Sequence, residues 1–427
     1  MSAPRPLICL TTSYPSGGDR AAGHFVKRLN DYYPRALWRI YVVCFDRSSS
    51  DEDRFEEEGV AVFRVKPYGQ SLSSGGPDRL SASPVRHGLG LMISALRLNA
   101  AYKRVWRSLK AEYGDDPVVV AHWSLPSAWI SRQHRPLVYC HGGDVALLES
   151  LPLGQRGRRA LAGHIFTHTE GVVCVSADLS RRVCSLMAKA RKNHLQSTPV
   201  FTLPMGIDSP SPCPHYLEEL REVISSHKTP LPTQRNGHID LLVISTVGRV
   251  VQIKGYDLLV EALGCLSSVQ REQVLWLMAG DGEERVPLIK RASELGVQLV
   301  SLGHLAPKQR DALLSITDIF VAPSRQLGKR VEGSPLALRE AALSGCALMA
   351  TSCGGVGEIL SELPTDLILE IEPTAASIHT HLCDLLDGQP RHHREERSKQ
   401  RMVRRASELW LWSSLGHRHA ALLSETR

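Results

Sequence analysis

No stretch of the 427-residue chain approaches 18 consecutive apolar residues, so a membrane-spanning helix is not expected. The opening MSAPRPLICLTTSYP turns polar too early for a secretory signal peptide. Ten cysteines are scattered with no C-x-x-C or Cys/His ligand spacing, which argues against a disulfide framework and a structural zinc site and suits a reducing, cytoplasmic compartment. No strand is followed by G-x-G-x-x-G with an acid ~20 residues on, which disfavours an NAD-dependent oxidoreductase. Gly18 and Gly23 have Walker A spacing, but His24 and Phe25 stand where Lys and Ser/Thr would be needed. A serine hydrolase finds no G-x-S-x-G. Low-complexity segments and short-period repeats are also missing. The charge excess is mild: 51 Lys and Arg against 44 Asp and Glu give +7. That falls short of a nucleic-acid footprint but suits a phosphate-bearing ligand or an anionic membrane face.

What is present is an ordinary globular composition, 43% hydrophobic and 22% charged, in a chain longer than one core usually supports. Two domains are expected. PLICLTTS, RIYVVCF, VAVFRV, VVVAHW, LVYCHG and GVVCVS read as buried strands, most of them rich in Val and Ile as a parallel sheet requires. FTLPMGIDSPSPCP, from Phe201 to Pro214, reads as a hinge, and HKTPLPTQRNGH as a surface loop. A second alternating series runs from DLLVISTVGR through VLWLMAGDG, VQLVSLG and DIFVAPS to ALMATS, with helices between. Strands alternating with helices twice over predict two doubly wound α/β domains. The tail SELWLWSSLGHRHAALL predicts one more amphipathic helix.

One segment, EGSPLALREAALSG from Glu332 to Gly345, places two glutamates around a helix start. Ser334 is a suitable N-cap and Pro335 suits the first helical position. Leu336, Ala337, Leu338, Ala341, Ala342 and Leu343 supply an apolar face, and Gly345 a stop. Ala337 cannot close a capping box, so the first-turn amides are left to an outside anion. Glu332 precedes that anion site, and Glu340 lies about 7 to 8 Å further along the axis than Pro335.

Three loops can carry chemistry. YPSGGDRAAGHF brings Gly23 to a helix start, either as a plain βα turn or as an approach to a phosphate or sugar. VGRVVQIKGYD carries Arg249 and Lys254, either a solvated pair or a fork and a point charge for a pyrophosphate. VYCHGGDV puts His141 and Asp144 at a strand exit, and His122 ends the strand before it, so these can line one space or be structural.

Together these residues resemble a known family. GR…KG at Gly248 to Gly255, AGDGEER at Ala279 to Arg285, DIFVAPS, the Glu332-x7-Glu340 pair and GCALMATSCGGVGEIL are similar to the donor half of family-four retaining glycosyltransferases of the GT-B fold. HGGD, VSADLS and PMGID agree more loosely. The resemblance is strong from Leu241 to Leu360 and weak over residues 47 to 115. It implies two Rossmann-like domains facing a cleft, residues 1–205 on the acceptor side and 206–400 on the nucleotide-sugar side. Residues 401–427 would form a helix returning to the first domain.

By the same resemblance, Arg249 and Lys254 hold the donor diphosphate with help from backbone amides after Ser334 and near Gly23, and Ser334, Pro335 and Leu336 line the donor site. Glu340 takes the ribose hydroxyls, and Glu332 and His141 contact the donor sugar. The base rests at the Gly303-His304-Leu305 turn, and His122 and Asp144 lie toward the acceptor. The implied activity is metal-independent, retaining transfer from a nucleotide-diphosphate-sugar, UDP before GDP, to a glycan, lipid-linked or small-molecule acceptor. No cofactor is implied, and Asp51-Glu52-Asp53 lies in a polar loop remote from the donor half. Alternatives are a GT-B epimerase or phosphorylase, or a non-catalytic sugar-nucleotide binder. HGLGLMISALRLNAAYKRVWRSLK is either a membrane-surface helix or a core-packed helix with a basic solvated face. The basic run Arg391 to Arg405, interrupted by Glu395 and Glu396, carries the same two readings, so the protein is expected in the cytoplasm, free or peripheral on the inner membrane face.

Overall fold

The computed structural model describes residues 4–15, 23–45, 54–66, 84–114, 117–188, 198–226, 241–328, 331–387 and 396–425. The Asp51-Glu52-Asp53 triplet, Gly18, the polar loop at 227–238 and the start of the basic run at Arg391 lie outside them. The chain divides into two units, Met1–Gly206 with Leu415–Arg427, and Ile207–Ser414. The first unit holds β1 (Arg5–Leu10), β2 (Trp38–Phe45), β3 (Arg54–Glu57), β4 (Val60–Val65), β5 (Val118–His122), β6 (Leu137–Cys140), β7 (Gly171–Cys174) and β8 (Val200–Thr202). They form one sheet in the order β3-β4-β2-β1-β5-β6-β7-β8. Every pairing is parallel except β3 with β4. β3 escaped the sequence reading because RFEE has no apolar run: its residues are only half-buried or exposed at the sheet edge. β8 overlaps the expected hinge, so the irregular backbone begins after Thr202 rather than at Phe201.

The second unit holds β9 (Leu242–Val247), β10 (Val274–Ala279), β11 (Leu299–Gly303), β12 (Ile319–Ala322), β13 (Ala347–Ala350) and β14 (Ile368–Glu370). All are parallel, in the order β11-β10-β9-β12-β13-β14. Strand periodicity divides the core. Leu242, Ile244, Trp276 and Met278 join one apolar cluster, while Val243, Leu275, Leu277 and Ala279 join another on the opposite face. Both faces are covered, as a parallel sheet needs. The two sheets are the doubly wound arrangement expected. In each, the strand order reverses direction once, between β1 and β5 and between β9 and β12, and ligands of such sheets bind at the carboxyl ends beside that reversal. The tail forms two helices instead of one, Glu396–Trp410 and Trp412–Glu425. Between them Leu411 bridges Ile207, which accepts from Trp412 and donates to Trp410.

Candidate functional site

In the second unit the loops leaving β9 and β12 are neighbours because their strands pair. Arg325 stitches them together: its backbone amide donates to the Ile253 carbonyl at 2.9 Å, and its guanidinium reaches Asp257 at 2.9 Å. The loop after β10 lies against the same backbone. A side chain on Gly280, at φ 137°, would stand 1.8 Å from the Gly248 carbonyl oxygen, so only glycine fits there. Between the two switch-point loops lies a hollow with Lys254, Tyr256, Ser324, Pro335, Ala337 and Leu338 in its wall. Lys254 Nζ makes an ion pair with Glu332 Oε2 at 3.0 Å, both side chains 17% exposed. Burial, reinforced by the Glu332 charge, raises the Tyr256 phenol well above its ordinary pKa and keeps it neutral.

The helix opening onto this hollow runs Leu336–Leu343, one residue later than its sequence suggests. Pro335, at φ −68° and ψ 113°, occupies the cap position instead of Ser334, and no side chain caps the helix. The Ser334 hydroxyl is buried and has no hydrogen-bond partner. Leu336 is exposed, so the apolar face begins at Ala337. The helix start therefore offers open amides and an uncommitted hydroxyl beside the Lys254 amine.

The remaining expected donor residues are placed less uniformly. Arg249 is exposed and is not part of the hollow's wall, whereas its neighbour Val250 is fully buried, its amide donating to the Asp281 carbonyl at 2.9 Å. Glu340 pairs with Arg310 at 2.7 Å, an arginine the sequence did not single out. Burial raises the Glu340 carboxyl above the ordinary carboxylate value, an effect Arg310 opposes and Asp311 and Asp208 reinforce. His304 is exposed beside Gly303, whose carbonyl accepts from the Gly280 amide at 2.6 Å.

In the first unit, Gly23 starts the helix His24–Tyr32, with φ 75° and a Cβ position only 2.3 Å from the Ser13 carbonyl oxygen. Phe25 of that helix lies 4.7 Å from the His141 ring, between centroids. His122 Nδ1 meets His141 Nε2 at 3.0 Å. Trp123, between β5 and the following turn, adopts φ 71° and ψ 131° and sets its indole 5.0 Å from His141. Nothing in the residue type announces such a conformation, so the sequence could not reveal it. The structure thus brings His122 and His141 together, with Phe25 of the helix that Gly23 starts beside them. Asp144 is different: it is 3% exposed, and its carboxylate accepts from the amides of Ser124 at 2.8 Å, His141 at 3.1 Å and Gly142 at 3.1 Å. Those bonds spend it on shaping the loop that carries His141, so it is not free to face an acceptor.

Residues 234–402 match the family described as "Glycosyl transferases group 1". That segment, less than half of the chain, is similar to the group 1 glycosyl transferases. The match contains the whole hollow and both glutamates. Over 136 residues, 31% of this chain and 28% of the relative, it is 29% identical to a phosphatidylinositol N-acetylglucosaminyltransferase component of Arabidopsis thaliana. Over 87 residues, 20% of this chain and 24% of the relative, it is 40% identical to the lipopolysaccharide core biosynthesis glycosyltransferase LpsE of Rhizobium meliloti (strain 1021). The aligned part is thus only about a quarter of each curated relative's length, 28% and 24%. Anabaena HepE, solved in complex with UDP and glucose, matches 99% of this chain and 100% of its own with a TM-score of 0.66 at 16% identity. That likeness shows the fold alone: the two parallel α/β sheets are those of the GT-B fold. Among the described residues no His, Cys, Asp and Glu cluster could hold a metal ion, and no helix is long and apolar enough to cross a membrane.

Proposed function

We propose that this chain is a retaining glycosyltransferase, moving a sugar from a nucleotide-diphosphate-sugar, UDP before GDP, to a glycan, lipid-linked or small-molecule acceptor. The observation that carries the proposal is the Lys254–Glu332 pair beside an uncapped helix start and the unpaired Ser334 hydroxyl. Breaking a sugar–phosphate bond leaves negative charge on the diphosphate and positive charge at the anomeric carbon. Lys254 and the amides of the Leu336–Leu343 helix stabilise the first, and Arg249 reaches it from the same loop. Glu332, next to Lys254, faces the second and holds the ammonium in place until the phosphate arrives. Glu340, steadied by Arg310, accepts from the ribose hydroxyls. His141 meets the sugar. The acceptor attacks from the leaving-group side, so no protein nucleophile is needed.

Because the protein's own cations neutralise the leaving group, no metal is needed in this scheme. Turnover unaffected by EDTA supports it, and turnover restored only by added Mg²⁺ or Mn²⁺ overturns it. Lys254→Ala and Arg249→Ala are each expected to lower turnover ~10² to 10³-fold, and Glu340→Ala chiefly to weaken donor binding. Unchanged kinetics in all three remove the assignment. Product mass spectrometry with and without acceptor separates transfer from epimerisation, phosphorolysis and binding without turnover. The proposal also includes an anionic membrane surface as a partner. The helix Pro84–Tyr113 buries Leu98, Tyr102, Val105 and Leu109 but exposes Met92, Leu96, Arg97, Lys103, Arg104, Arg107 and Lys110, with no acidic residue before Glu112.

A further inference from the structure

β5 and β6 pair with His122 opposite Tyr139, and this register places the His122 ring in a closed box. Tyr139 stacks on it at 4.9 Å, and Phe25 and Trp123 approach at 6.3 Å each. His122 is fully buried; its Nδ1 meets His141 Nε2, and its Nε2 has no hydrogen-bond partner. A neutral imidazole has one N–H and one bare nitrogen, so the contact allows two arrangements. If His122 accepted, its own Nε2–H would be stranded among aromatic rings. If it donates from Nδ1, only a lone pair is left unmatched. A stranded buried donor is the rarer and costlier of the two.

We propose that His122 is a positioning residue: it donates to His141 Nε2 and so fixes His141 as an Nδ1–H donor toward an oxygen of the donor sugar. That role for His141 rests on the glycosyltransferase reading; the proton arrangement does not. Among the described residues Nδ1 of His141 has no partner, so it is the nitrogen left for a ligand. The surrounding groups keep both rings uncharged. Burial holds His141 down at about 4 and His122 well below its usual value, and His419 adds to the second effect. Asp144 pulls His141 the other way but spends its carboxylate on three backbone amides. Tyr139 stays protonated.

Long-range ¹⁵N–¹H correlation of the full chain labelled in histidine reads the arrangement directly, with His141→Gln identifying the signals. The expected result is an Nδ1–H pattern for His141 that His122→Phe converts to a tautomer mixture and His122→Asn, which keeps an N–H donor near the Nδ1 position, preserves. An Nε2–H pattern, or one indifferent to His122→Phe, overturns the proposal. This measurement decides the dyad even if no sugar transfer is found, so the two readings can fail separately. Where transfer is measured, His122→Phe should lower kcat ~10 to 100-fold with little change in donor KM, and His122→Asn should restore much of it. Equal losses in both variants at unchanged melting temperature also overturn it. Should His122→Phe not fold, the Asn and Gln variants carry the comparison, Asn keeping and Gln losing the Nδ1 donor.

Discussion

Single side chains here are held by charge and by lack of room, and the two leave different signatures. Lys254 and Glu332 neutralise each other at 3.0 Å while mostly shielded from water. Glu332→Gln should therefore loosen Lys254 and weaken donor binding, whereas the double variant with Lys254→Ala should be no worse than Lys254→Ala alone. Additive losses in that double-mutant cycle would mean the two act independently. Room decides at Gly280. With a Cβ 1.8 Å from the Gly248 carbonyl, Gly280→Ala must shift backbone, at a cost of ~2 to 4 kcal/mol readable as a lower denaturation midpoint. Proton binding offers a third test. His419, fully buried between Tyr139 and the Pro204 carbonyl, is held at about 4, chiefly by burial. An unfolded histidine titrates near 6.5, so the unfolded chain binds more protons between these values. The stability this histidine contributes is thus present above about pH 6.5 and drains away as pH falls toward 4, by on the order of 3 kcal/mol. His419→Gln should flatten that slope in chemical denaturation followed against pH.

At the scale of elements, what the sequence disclosed tracks local physics. Val- and Ile-rich runs announced the parallel strands, because burial on both faces leaves few polar residues. RFEE at β3 carried no such pattern and owes its place to pairing at an edge. The helix after Glu332 was legible, but its start was not: Pro335 can serve as either the cap or the first turn, and only its ψ of 113° decides. Lys254, Glu332 and His141 stood out by motif and position. Arg310, Arg325 and Trp123 did not, since a partner 30 or 68 residues distant and a positive φ leave no local trace. The helix Pro84–Tyr113 carries its own prediction. Its exposed cations and the pair Met92 and Leu96 should float the protein with anionic liposomes at low salt, and Leu96→Asp should abolish this. No flotation at low salt ends the membrane proposal.

For the molecule as a whole, the two units should answer a nucleotide differently. UDP at 100 times its dissociation constant adds ~2.7 kcal/mol to whatever must unfold to release it. Hydrogen exchange should accordingly slow at the amides opening the Leu336–Leu343 helix; unchanged exchange there at saturating UDP contradicts the diphosphate assignment. The first unit raises a separate issue, because it is assembled from both ends of the sequence. Tyr139 meets His419 across 280 residues, and His419 in turn closes on Pro204. A ribosome emits the eight strands of that sheet long before it reaches His419, and the whole of Ile207–Ser414 is made in the interval. The sheet made before Ile207–Ser414 is therefore completed only after that unit. Until the final helix emerges, a nascent chain displays Tyr32, Tyr139 and their neighbours uncovered, an interval in which a chaperone has something to hold.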